Sequence, residues 1–255
     1  CYREVPGEML TANERERYDR QIMIPEITEA GQEKLKAARV MIAGAGGLGS
    51  PIALYLAAAG IGRLRLVDHD QVTLSNLNRQ VLHWSDDVGR KKVDSAGEKL
   101  RCLNPDIIVE SIHATVAEST IDGMLQDIDV LVDAMDNIPS RFVLNKAAID
   151  HRIPFVHGAV AGFEGRAMTV LPGKTACLRC ITRGPVQPET YPVIGVAPAM
   201  IGVIEATEVI KYLLNLGGLL TNCMLRYDGM TNDFLKLTVK RNPQCEHCAQ
   251  VYGKE

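Results

Sequence analysis

Aromatic side chains are scarce: one tryptophan, seven tyrosines and four phenylalanines make up 5% of 255 residues. That leaves little material for the stacking platforms on which single-stranded nucleic acids bind. No charge of one sign dominates either. The 28 basic and 31 acidic residues sum to −3, which argues against a polyanion-binding surface over the whole protein but leaves room for a local basic pocket. Nucleic acid is therefore not an expected partner. Long apolar runs are also missing. The longest uncharged apolar stretch of membrane character, Val193 to Ile204, is well short of the ~20 residues a bilayer span needs, and Glu205, Glu208 and Lys211 follow it. The first residues mix Glu4, Glu8, Glu14 and Glu16 with Arg3, Arg15, Arg17 and Arg20, so they lack the apolar core of a signal peptide and read as a polar helix or arm. No membrane association is expected, and the expected location is the cytoplasm. Internal repeats and low-complexity tracts are absent as well. Seven cysteines, an odd number, fit poorly with a fully paired disulfide framework. A 46% hydrophobic composition instead allows one compact domain with a sizeable core.

Strands and helices alternate along the first part of the chain. Arg39 to Ala43 reads as a strand, Ser50 to Ala59 as a helix, Arg63 to Val67 as a strand closing on Asp68, and Lys91 to Leu103 as an amphipathic helix with Val93, Ala96 and Leu100 on one face. Ile107 to Glu110, Val130 to Ala134 and Ile153 to His157 are further strands, with helices at Ile121 to Gln126 and Arg141 to Asp150. This order predicts an α/β fold, a Rossmann-like, mainly parallel sheet with helices on both faces. From Arg166 to Leu171 the pattern becomes the alternation of antiparallel hairpins. A loop-like, proline-containing stretch then leads to a long apolar helix, Ala197 to Leu214, and to strands at Met224 to Asp228 and Phe234 to Val239. An antiparallel C-terminal extension is thus expected.

Gly44, Gly46 and Gly49 match GxGxxG, with Gly47 inside the loop. The motif follows a strand and opens a helix, where glycines permit a tight turn and backbone N–H groups can approach a phosphate. Asp68, 19 residues beyond Gly49 at the next strand end, stands where a carboxylate can hold ribose hydroxyls. By itself the fingerprint is equally that of a dinucleotide such as NAD. The polar run after Asp68 argues for a triphosphate: Asn76, Arg79 and Lys92 gather close after the ribose-binding position, and the Arg79 and Lys92 cations bring more positive charge than a nicotinamide cofactor needs. Charge developing on departing pyrophosphate must be neutralised by Arg, Lys or a metal ion. Asp136, beside Asn137 after the Val130 to Ala134 strand, is placed to hold Mg²⁺.

Cys177-Leu-Arg-Cys180 and Cys245-Glu-His-Cys248 have the spacing that lets each thiolate pair reach one ion, and two such pairs make a tetrahedral, structural zinc site. Redox chemistry, two disulfides or His247 as a substitute ligand are the alternatives. Cys102 reads as a packing residue on the apolar side of its helix, and Cys223 as one near a strand start. Cys1 is terminal and carries no information.

The motif set Arg17-Tyr-Asp-Arg-Gln21, Gly44 to Gly49, Ser75-Asn-Leu-Asn-Arg-Gln80, Asp133-Ala-Met-Asp-Asn137 and the paired cysteines resembles the MoeB/ThiF/HesA adenylyltransferases, relatives of ubiquitin-activating E1 enzymes, from about Glu14 to Cys248. The resemblance implies an ATP-dependent enzyme. It would adenylate the C-terminal Gly-Gly carboxylate of a ubiquitin-like sulfur carrier of the MoaD or ThiS kind, releasing pyrophosphate. It further implies that Asp68 binds ribose, that Asn76, Arg79 and Lys92 contact phosphates, that Asp136 binds magnesium, and that Arg20 completes the ATP site of the partner in a homodimer. Arg20, Arg79, Lys92 and Asp136 are then the expected catalytic residues. Gly44, Gly46, Gly47, Gly49, Asp68, Asp70, Asn76, Gln80 and Asn137 join Arg79, Lys92 and Asp136 in binding the nucleotide. The implied division is a helical arm at 1–36, an ATP-binding part at 37–158 and a carrier-binding part at 159–255. Members that carry a persulfide or thioester have a cysteine in the loop before the long helix, whereas residues 182–195 here contain none. The expected enzyme stops at the adenylate unless a separate protein donates sulfur. A HesA-like activator of another peptide or small carboxylate is the alternative, and an NAD-dependent oxidoreductase a further one.

Overall fold

A computed structural model describes residues 9–182 and 191–251. Three helices come first: α1 (Ala12–Arg17), α2 (Asp19–Ile22) and α3 (Thr28–Ala37). Thr11 and Glu14 form a reciprocal capping box that starts α1. Within the helical arm expected at 1–36, α3 offers a single leucine to the core and buries Gly31 and Gln32 beside it, so no apolar stripe marks its bounds.

The alternating region follows as β1 (Arg39–Ala43), α4 (Gly49–Ala58), β2 (Arg63–Asp68), α5 (Lys92–Leu103), β3 (Ile108–His113), α6 (Ile121–Met124), β4 (Val130–Asp133), α7 (Ile138–Asp150) and β5 (Phe155–Ala161). These strands pair in parallel in the order β3-β2-β1-β4-β5. A two-residue connection, Gly162-Phe163, then turns the chain straight back, so β6 (Glu164–Val170) pairs antiparallel with β5. After α8 (Leu178–Ile181) and α9 (Val196–Leu213), β7 (Cys223–Asp228) and β8 (Asp233–Thr238) extend the same sheet antiparallel. The expected architecture is present as one eight-stranded sheet.

Period-two alternation sorts the core. Val40, Ile42, Val130, Val132 and Val156 face α4, α5 and α9 through Ile52, Leu56, Leu100, Ile201 and Val209. Met41, Leu131 and Phe155 face α6, α7 and the cysteine-bearing segments through Met124, Leu144, Ala148 and Cys177. Leu56 and Phe155 are fully buried on opposite faces, where truncation to alanine costs about 2–5 kcal/mol. Cys102 departs from expectation: it is exposed on α5, because two residues past Leu100 on a helix is the far side of the apolar stripe. No helix among the described residues is long and apolar enough to cross a membrane. Sheet order reverses between β1 and β4, the switch point where doubly wound sheets open a crevice at their carboxyl ends.

Candidate functional site

The crevice is built from the loop after β1. Gly44 sits at φ +105°, and a Cβ there would lie 2.5 Å from the Ala134 carbonyl oxygen. A Cβ on Gly49 would lie 1.9 Å from the Gly44 carbonyl oxygen, so this turn admits only glycine at both positions. Three polar contacts hold the turn: Ala45 N–H donates to Asp68 Oδ2 at 2.8 Å, Ser50 Oγ donates to Gly46 O at 2.7 Å, and His83 Nε2 donates to Ala45 O at 2.8 Å. Burial lowers the His83 pKa. That favours the neutral ring, whose Nδ1 lies 2.9 Å from Ser95 Oγ.

Asp68 ends β2 and also accepts the Asp70 N–H through Oδ1 at 2.8 Å. Lys92, at the start of α5, is buried and places Nζ 2.8 Å from Asp70 Oδ2. Burial works to raise the Asp70 pKa, but the Lys92 hydrogen bond and charge outweigh it and lower the pKa overall. Arg79 donates from Nη1 to Ser75 O at 2.8 Å and to Asn78 Oδ1 at 3.0 Å. Its stem passes the glycine loop, with Cγ 3.6 Å from where a Gly47 Cβ would stand. Among the described residues no carboxylate pairs with it. Gln80 is buried against Gly46 with its Oε1 lacking a hydrogen-bond partner. Asn76 instead caps its own turn, accepting the Thr73 N–H at 3.2 Å.

On the other side of the crevice, Asp136 and Asn137 are exposed between β4 and α7. Asn137 caps α7, accepting the Ser140 N–H at 2.9 Å. Three residues that the sequence reading gave no role brace this loop. Buried Arg141 donates Nε and Nη2 to the Met135 carbonyl at 3.1 and 2.6 Å. Asp133 accepts the Met135 N–H at 3.0 Å and binds His157 Nδ1 at 2.6 Å. The spacing Asp136-Asn137-x-x-x-Arg141 was the available signal for the first.

The structure therefore gathers Gly44, Gly46, Gly47, Gly49, Asp68, Asp70, Arg79, Gln80, Lys92, Asp136 and Asn137 around the carboxyl ends of β1, β2 and β4. Arg20 is not among them. Its arm docks at the opposite end of α4: Gln21 Nε2 donates to Ala59 O at 3.1 Å, and Asn104 Nδ2 bridges Tyr18 Oη at 2.8 Å and Ala57 O at 2.7 Å. Ten helical residues separate that end from the glycine loop, about 15 Å at the α-helical rise. Arg20 is exposed and makes no ion pair among the described residues.

The second cluster lies on the α7 side of the sheet. Cys177, Cys180, Cys245 and Cys248 are buried, with Sγ atoms within 4.8 Å of one another. Cys177 Sγ is 3.9 Å from Cys180 and 3.6 Å from Cys245, and Cys180 Sγ is 3.5 Å from Cys248. Zinc–sulfur bonds of about 2.3 Å in a tetrahedron require sulfurs about 3.8 Å apart, so the donor set fits zinc. Burial and neighbouring cysteines push the Cys177 thiol up to about 12 and raise Cys248. A bound divalent cation reverses that preference by stabilising the thiolates. His247 lies outside the cluster, accepting through Nδ1 from Asn145 Nδ2 at 2.8 Å. The described cysteines form no disulfide.

Comparison with known proteins gives four relationships. The model described as "ThiF family" matches residues 18–247. The SAMP-activating enzyme E1 of Haloferax volcanii is 43% identical over 247 residues, covering 94% of this chain and 91% of that protein. The sulfur carrier protein adenylyltransferase of Thermus thermophilus is 41% identical over 249 residues, covering 93% of this chain and 92% of that one. In fold, the chain superposes on E. coli MccB crystallised with MccA-N7isoAsn at a TM-score of 0.83, with 24% identity, covering 96% of this chain and 77% of that one.

Proposed function

The chain belongs to the ThiF family, and from that premise we propose that it is an ATP-dependent adenylyltransferase acting on the C-terminal Gly-Gly carboxylate of a small ubiquitin-like sulfur carrier. The names of its relatives, a SAMP-activating E1 and a sulfur carrier protein adenylyltransferase, support this substrate class. The observation that carries the reading is Arg79, whose stem passes the glycine loop and whose guanidinium, among the described residues, has no carboxylate to neutralise it. An unpaired cation beside a phosphate-cradling loop suits a triphosphate that must lose pyrophosphate.

In the proposed reaction, a carrier carboxylate oxygen attacks the α-phosphorus of ATP. The new bond is acyl–O–P, the bond broken is the one to the β-phosphate bridging oxygen, and pyrophosphate departs with the electron pair. No protein nucleophile is required, so alignment and charge stabilisation suffice. Asp68 holds the ribose, with Gly44, Gly46, Gly47 and Gly49 forming the phosphate turn. Arg79 and Lys92 face the β- and γ-phosphates, and Lys92 keeps Asp70 as its second partner. Gln80, beside Gly46, and Asn76, one turn before it, would complete the nucleotide contacts. Asp136, exposed and without an ion pair among the described residues, suits a magnesium ligand beside Asn137. Magnesium there would neutralise phosphate charge. The position of Arg20, at the far end of α4, supports its use in the site of a second copy, making a homodimer with two composite sites. Cys177, Cys180, Cys245 and Cys248 would hold a structural zinc. The 1–36 arm, the 37–158 nucleotide part and the 159–255 carrier part divide the work. Residues 182–195 carry no cysteine, and 183–190 lie outside the described residues, so the enzyme ends at the adenylate and leaves sulfur transfer to a separate donor.

The test is ATP–pyrophosphate exchange with and without a carrier ending in Gly-Gly. Exchange that requires the carrier and disappears when its last glycine is removed is the expected result. Tight NAD binding with no exchange overturns the proposal, and exchange driven by an unrelated peptide or small carboxylate redirects it to that substrate.

A further inference from the structure

The two clusters share a helix. Asn145, in the middle of α7, is fully buried, although asparagine is a poor helix former whose amide competes with the backbone. Its Oδ1 accepts the N–H of Leu178, between Cys177 and Cys180, at 3.0 Å. Its Nδ2 donates to Nδ1 of His247, between Cys245 and Cys248, at 2.8 Å. One side chain therefore holds both cysteine turns. Around it, Arg179 of the first turn pairs with Glu246 of the second, and the Arg179 guanidinium stacks 4.7 Å from the Phe142 ring of α7. One helical turn before Asn145, on the same face, Arg141 grips the Met135 carbonyl. Asn137, about 12 Å from Asn145 at the helical rise, caps the helix beside Asp136.

We infer that Asn145 is a positioning residue that couples the four-cysteine metal centre to the Asp136–Asn137 loop through α7, so that zinc and nucleotide strengthen each other's binding. Metal would fix where both cysteine turns stand, Asn145 transfers that position to α7, and α7, through Arg141 and the Asn137 cap, holds the Met135 to Asn137 loop that follows Ala134, the neighbour of Gly44 and Gly49. The inference rests on the ATP reading above. Coupling of binding free energies is reciprocal, which gives a readout independent of turnover.

The experiment measures zinc affinity of the metal-loaded protein by equilibrium competition with a chromophoric chelator, with and without saturating ATP, and ATP affinity directly by calorimetry. In the unaltered protein ATP should tighten zinc by about fivefold or more, in the range of ordinary allosteric coupling. In Asn145→Ala the ATP effect on zinc should vanish, and in His247→Ala, which cuts only the contact to the second cysteine turn and leaves α7 unaltered, it should shrink, while both ligands still bind. Retention of the full effect in His247→Ala or in a folded Asn145→Ala overturns the inference. So does an unaltered protein that binds ATP without any change in zinc affinity. A protein that binds zinc but no ATP at all overturns the functional reading, and the coupling with it.

Discussion

Asp68 accepts the Ala45 N–H through Oδ2 at 2.8 Å, so the end of β2 and the glycine loop after β1 form one unit. The same carboxylate orders the Asp70 N–H, on the residue that pairs with Lys92. Asp68→Ala should therefore weaken nucleotide binding by more than a lost ribose contact, about 10²-fold, corresponding to about 2.7 kcal/mol. Asp68→Asn keeps one acceptor and should lose less. Calorimetric titration with ATP checks both, and equal affinities for the Ala variant and the parent would remove Asp68 from the site.

Arg20 and Arg79 should act across a subunit boundary. Each alanine variant alone is expected to lose about 10²–10³-fold in carrier-dependent exchange, the scale for removing a transition-state charge partner. In a refolded equimolar mixture, half the dimers pair one variant with the other and contain one site with both arginines, so about a quarter of the parental activity should return. No recovery on mixing would contradict a composite site.

Asp87 anchors the segment leading to Lys92, accepting from Trp84 N at 2.7 Å, from Arg90 Nη1 at 2.7 Å and from the Lys99 ammonium. Burial opposes its ionisation, but Lys99 and the N–H donor prevail and hold its pKa at about 2. A depressed folded-state pKa contributes stability that is present above the unfolded value near 4 and lost as pH falls through 2. The contribution is about 2 kcal/mol. Asp87→Asn should be destabilised by that order at pH 7, with the difference from the parent shrinking between pH 4 and 2. Denaturant midpoints across that range are the measurement, and a pH-independent difference would refute the assignment.

Glu205 carries the opposite sign. It is fully buried on α9, both carboxylate oxygens lack hydrogen-bond partners among the described residues, and a Cβ on Gly158 would lie 2.2 Å from its Oε2. Burial raises its pKa well above the ordinary value, Asp133 adds to the rise, and Arg141 opposes it. A raised folded-state pKa means full stability below the unfolded value near 4.5 and a progressive loss as pH climbs toward the folded one. Glu205→Gln keeps the shape and removes the titration. Its stability relative to the parent should improve from pH 5 to pH 8, as urea unfolding would reveal; an unchanged difference would mean that the Glu205 pKa is the same in the folded and unfolded chain, with no rise on folding.

How legible the fold was depended on how each element earns its place. β1 was readable residue for residue, because a short apolar run between Ala38 and the glycines can be little else. α3 was not, because it is held by Gln32, whose Nε2 donates to Ala59 O at 2.9 Å, rather than by an apolar stripe. α7 begins at Ile138, three residues before the expected Arg141, because Asn137 caps it and Pro139 fits its first turn. The glycine loop and its acidic and basic neighbours were found from local spacing. What escaped was support that acts over distance: the Asp70–Lys92 pair spans 22 residues and the Asn145–His247 contact spans 102. A lone polar residue inside a helix gives no local sign of what it will meet.

The four cysteines also bear on the order in which the chain can acquire its shape. The contacts between the two pairs join residues 68 positions apart, and the enclosed segment holds α9, β7 and β8. Closing a loop of that size by a covalent bridge lowers the entropy of the unfolded chain by about 4 kcal/mol at room temperature. A metal bridge can collect that advantage only after Cys248 has emerged from the ribosome, when β1 to β5 have long been available to pair. Metal capture by these four residues would then come late in folding, after β1 to β5 have had the chance to pair.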